Sequence, residues 1–143
     1  MSLMSDLRQR PTELSAAARF TSLCGLLYMG AGFLLLAWPE AMQTVFGDPS
    51  FSGQERAMAR VVGMSVAIIG WLYFFGGRSG GRQFVAASVI DRLVLVPLVL
   101  VPLALSGAFT HTLLFFAVLD PALALVAWRL LASSKADAAA PSA

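Results

Sequence analysis

Apolar residues run almost unbroken through four stretches of the chain, positions 20–38, 57–75, 84–105 and 108–131, and polar residues gather in the connections between them. A helix rising 1.5 Å per residue needs about 20 apolar residues to cross the hydrocarbon core of a bilayer. Each stretch meets that length, so the pattern predicts an all-α chain: an integral membrane four-helix bundle. The first stretch follows Arg8, Arg10 and Arg19, as a signal sequence would. It is longer than a signal core, however, and WPEAMQTVFG behind it offers no small-x-small cleavage pattern. It is expected to be retained as the first span. Among the connections, only PEAMQTVFGDPSFSGQER has room for structure of its own, with turns marked by Gly47, Asp48, Pro49, Ser50 and Gly53. The second connection, GGRSGGRQ, neither follows a strand nor ends in GK[ST], so it reads as a flexible basic hairpin rather than a phosphate cradle.

Composition agrees with the pattern. Hydrophobic residues make up 58% of the 143 and charged residues 13%, and a soluble domain of this size would need far more polar surface. The solvent implied is lipid. The net charge of +2 is small and the basic residues sit at span ends, which argues against a nucleic-acid partner. Cys24 is the single cysteine, so neither an internal disulfide nor a multi-cysteine metal site is available. It reads as a small packing residue. His111 is the single histidine and has no carboxylate near it in sequence, so no metal site is expected.

Charge placement sets an orientation. Arg8, Arg10, Arg19, Arg78, Arg82, Arg129 and Lys135 fall on one side of the four spans, whereas Glu40, Asp48 and Glu55 collect on the other with Arg56 and Arg60. The positive-inside rule then puts both termini in the cytoplasm, as an even number of spans requires. Trp38 is placed at the outer interface, and Trp71 and Trp128 near the inner one. Residues 1–16 form a cytoplasmic segment with a short interfacial helix expected after Pro11, and 132–143 a disordered cytoplasmic tail.

Small residues line one face of each of the first two spans: Ser22, Gly25 and Gly32, then Gly63, Ala67 and Gly70. Such faces let helix backbones approach closely in lipid. They serve packing within the chain or a homo-oligomer equally well.

The third and fourth spans carry the chemistry. FVAASVIDRLVLVPLVLVPLAL holds Asp91 and Arg92 about 10–12 Å past its inner end, and FFAVLDPALALVAW holds Asp120 about 16 Å from the same face. An unpaired charge at such depth costs at least about 2.5–3.5 kcal/mol, so partners are expected. Asp91 and Arg92, being adjacent, diverge by about 100° and pair poorly with each other. The mismatch of about 5 Å between Arg92 and Asp120 is within an arginine's reach, and a bidentate contact between them is the natural resolution. Pro97, Pro102 and Pro121 free the carbonyls of Leu93, Leu98 and Ala117, which widens the backbone beside these groups. Asp91, Arg92 and Asp120, with Arg60 on the second span, therefore form the candidate binding set, and Asp91 and Asp120 the candidate acid or base.

Glu55, Arg56 and Arg60 resemble the Glu-Arg-x-x-Arg pattern of four-span glutathione-dependent enzymes, but the second arginine falls one residue late, and that activity does not transfer. Small multidrug exporters need a carboxylate in the first span, which has none here. The glycines and proline of GLLYMGAGFLLLAWP, the Arg-x-x-Gly of ARVVG and the Asp-Arg of the third span resemble the small four-helix bacterial inner-membrane proteins of the DoxX-like kind, across residues 16–131. That resemblance implies a multi-pass inner-membrane location and a membrane-protein partner rather than a reaction. The reading that follows is a non-catalytic accessory subunit, or a binder of a hydrophobic small molecule, with no cofactor indicated. A compact enzyme on a lipophilic substrate, or a proton pathway through Asp120, is the alternative.

Overall fold

The computed structural model describes Met4, Leu7, Gln9 and residues 13–139, with side chains as far as Ser134. Among the described residues the chain is entirely helical: α1 Ala16–Ala37, α2 Glu40–Phe46, α3 Glu55–Arg78, α4 Arg82–Leu105 and α5 Thr110–Ala139. α1, α3, α4 and α5 are each long and apolar enough to cross a membrane. Their outward faces carry large apolar side chains such as Leu23, Phe33, Ile68, Leu98 and Val118, a coat that suits hydrocarbon rather than water.

α1 begins after Ser15, whose hydroxyl accepts from the Ala18 amide at 3.2 Å and caps the first turn. No separate helix precedes it at residues 13–15; the rest of the segment expected to lie on the interface, Arg8 and Arg10 included, falls outside the described residues. α1 stops at the Trp38–Pro39 step, and the long connection folds into the short α2, which ends at Gly47 with φ 71°. GGRSGGRQ is less of a loop than its glycines suggest. Gly76, Gly77 and Arg78 continue α3, and only Ser79–Gly81 turn. Gly77 is helical because Ser22 of α1 sits where its side chain would be, and Gly76 because the Phe84 ring does. At the other end of the chain, the tail expected to be disordered from 132 is helical as far as Ala139. Alanines dominate there and suit a helix. Residues 140–143 lie outside the described residues.

Two tight pairs make the bundle: α1 with α3, and α4 with α5. The α1–α3 contact is backbone on backbone. A methyl at Gly63 would lie 2.7 Å from the Leu36 amide nitrogen, and one at Gly70 would lie 2.7 Å from the Gly25 carbonyl oxygen. The small faces read from the sequence therefore meet each other within the chain. Ser22 adds a hydroxyl that donates to Ala18 O at 3.1 Å and across to Phe74 O at 3.2 Å. The second pair is held to the first by α5 against α1, and by the start of α4 against α3. The later half of α4, Val96–Leu105, packs on α5 instead, so α3 and α4 diverge away from their shared turn.

Gly70→Ala should lower the midpoint of thermal unfolding in detergent, since the added methyl overpacks against fixed backbone at a cost of about 1–3 kcal/mol. Gly30→Ala, whose methyl would meet nothing within 4 Å, is the matched control and should leave the midpoint unchanged or raise it.

Candidate functional site

Between Asp91 and Leu95, α4 relaxes into a π turn in which the Val96 amide reaches back to the Asp91 carbonyl. Pro97 follows at once and has no amide to offer Leu93. Such wide turns collect at functional sites because they re-aim side chains without ending the helix.

Arg92 is the largest fully buried side chain, at 1% exposure. Its guanidinium donates from Nε to Ser88 O at 3.0 Å and from Nη2 to Ser88 Oγ at 3.2 Å, and lies 5.2 Å from the centre of the Tyr73 ring. Nη1 has no acceptor among the described residues. Asp91 accepts from the Tyr73 hydroxyl at 2.6 Å, and Asp120, also buried, accepts from the Tyr28 hydroxyl. The two tyrosine rings meet edge to face at 5.7 Å. Two tyrosine–carboxylate pairs thus stand beside one guanidinium, drawn from α1, α3, α4 and α5.

The direct contact expected between Arg92 and Asp120 does not form. Arg92 turns back to Ser88, one turn earlier on its own helix, and Asp120 turns to Tyr28 on α1. Asp91, Arg92 and Asp120 are nevertheless brought together, on one wall of a single cavity. Arg60 is not; it is exposed on α3 and takes no part. Tyr28 and Tyr73 were missed by the sequence reading. Their signal was available, for they are the only two tyrosines in the chain and both sit inside apolar stretches, where a hydroxyl needs a partner.

The cavity holds about 770 Å³, within the roughly 300–1,000 Å³ typical of small-molecule sites. Its walls are almost wholly apolar, and the five polar side chains form its floor. Met58, Val62 and Ile69 of α3, and Leu95 and Val99 of α4, line it while each remains at least 42% exposed, so it opens sideways where the two helices diverge. A second cavity of about 200 Å³ touches Tyr73, Phe84, Ser88 and Asp91. Among the described residues no group of histidine, cysteine, aspartate and glutamate could hold a metal.

The end opposite the floor is closed by the connection after α2. Asp48 accepts from the amides of His111 at 3.2 Å and Thr112 at 2.9 Å, and from His111 Nδ1 at 3.0 Å. A carboxylate from one connection therefore caps the helix that follows another, and His111 does have a carboxylate neighbour that sequence distance concealed. Phe51 stacks on Phe109 at 5.3 Å beside this latch, which holds Phe109 at φ 42°, a backbone region costly for a bulky residue. Gln43 donates to the Pro49 carbonyl and fixes the same connection.

Burial alone would raise the Asp48 carboxyl, but the donors of Thr112 and His111 outweigh it and hold the group below its ordinary value of 3.8. Its stabilisation is therefore complete above that ordinary value and is lost as pH falls through the lowered one. Asp48→Asn should lower the unfolding midpoint at neutral pH, by about 1 kcal/mol for a lost cap, and the gap to wild type should close in strong acid. Tyr28→Phe removes the donor to buried Asp120 and should cost about 1–3 kcal/mol. In Asp120→Asn the further cost of Tyr28→Phe should shrink, which a double-mutant cycle reads directly.

No protein-family model, curated protein or solved structure matches this chain.

Proposed function

We propose that this chain is a bilayer-spanning protein with both termini on the cytoplasmic side, and that its central cavity binds a hydrophobic small molecule. The carrying observation is the cavity itself, an apolar space of about 770 Å³ that ends on Tyr28, Tyr73, Asp91, Arg92 and Asp120. Packing alone accounts poorly for it. A bundle that needed only cohesion would fill such a space with side chains, and would not leave a buried guanidinium nitrogen without an acceptor. The sideways opening between α3 and α4 supports loading from the bilayer, where a hydrophobic molecule is concentrated. A membrane-protein partner of the kind implied by a DoxX-like accessory role would deliver or receive that molecule.

Native mass spectrometry of the purified protein tests this reading. Wild type should retain a bound lipophile, and Val62→Trp, which places a large ring in the sideways opening, should lose it while unfolding at a similar temperature. Recovery of bulk phospholipid alone, in the proportions of the source membrane, would contradict it.

A second reading rests on the smaller cavity. Asp91 and Tyr73 line both spaces, so a proton could reach Asp91 from either one. That reading requires pH-driven flux in vesicles that Asp91→Asn abolishes.

A further inference from the structure

The polar floor also restricts what the ligand's head can be, an argument that rests on the binding reading above. Asp91 and Asp120 already accept from tyrosine hydroxyls, and Arg92 already donates from Nε and Nη2. What remains unmet is a donor, Nη1 of Arg92. A cationic head brings only donors; it would leave Nη1 unmet and set a second positive charge beside the guanidinium. An anionic head would meet Nη1, but would add a third negative group next to two carboxylates in a site walled by hydrocarbon. An uncharged oxygen acceptor satisfies the donor and adds no charge.

We infer that the cavity is a site for an uncharged amphiphile, a molecule with one long apolar part and a carbonyl-type head, which seats its oxygen on Arg92 Nη1 at the floor and lays its apolar part along the α3 and α4 walls. The bilayer is its source. The walls near the floor are Val66, Ile69, Leu95, Val96 and Phe116, none of which competes for the head, so the guanidinium alone fixes its position. The tyrosine hydroxyls bracket the same point and tolerate heads with a hydroxyl beside the carbonyl, since each can accept as well as donate.

The test compares three probes of one chain length, hexadecanamide, palmitate and hexadecylamine, each titrated into the protein in phosphatidylcholine nanodiscs, with the unfolding midpoint as readout. The neutral amide should raise the midpoint at the lowest concentration. Arg92→Lys, which keeps the charge but loses the fork, should weaken the amide response about tenfold, the size expected for one lost charge-assisted hydrogen bond. Val62→Trp should suppress the response to all three. If palmitate or hexadecylamine is the stronger ligand, the inference about the head fails while the cavity remains a binding site. If no probe moves the midpoint, or Val62→Trp responds as wild type does, both the inference and the binding reading beneath it fail.

Discussion

A guanidinium buried within an apolar helix is the constraint around which the rest of the bundle is arranged. Arg92 cannot reach water at 1% exposure, so every element near it supplies something to it or to its neighbours. Ser88 on its own helix takes two of its donors, and the Tyr73 face takes its charge. The carboxylates that balance it are held in turn by Tyr73 and Tyr28. Because Tyr28 is on α1 and Tyr73 on α3, the relative position of those two helices has to be fixed. Glycine-to-glycine contact does this better than interdigitated side chains, which leave more freedom of register. The polar floor and the small-residue seam are therefore parts of one arrangement.

The opening follows from the same geometry. With α1 and α3 locked together and α4 committed to α5, the two pairs are joined near the short turn at Ser79–Gly81 and along α5. Away from that turn, α3 and α4 separate and leave a space whose walls are the apolar flanks of both. Asp48 ties the long connection across the far end, so the space is closed there by a latch and left open at the side. The cavity is thus a product of how the pairs diverge, and does not depend on any one kink.

Much of this was legible in the sequence. The four stretches appear as four helices with ends shifted by a few residues, and Ser22, Gly25, Gly32, Gly63, Ala67 and Gly70 lie where a packing face requires them. Asp91, Arg92 and Asp120 were found because charge inside an apolar run is conspicuous, and they do share one wall. Their partners were not legible. Depth arithmetic gives height along the helix axes but not rotation about them, and the π turn at Asp91–Leu95 changes the rotation at the residues in question. The arithmetic also favours charge finding charge, whereas the nearer partners were a serine one turn away and two tyrosines from other helices. His111 and Asp48 were hidden for a different reason: they are 63 residues apart and belong to separate connections. Arg60 was misplaced into the set because a shared apolar stretch was taken as a shared face.

The central claim, that the space above Arg92 is occupied by a ligand rather than left over from packing, is tested most directly by a density map of the protein purified in a native-lipid nanodisc. The account predicts elongated density within the cavity, with one end in hydrogen-bonding distance of the Arg92 guanidinium and the other reaching the gap between Val62 and Val99. A cavity closed by α3 moving onto α4, with Arg92 swung to pair with Asp120, would contradict it.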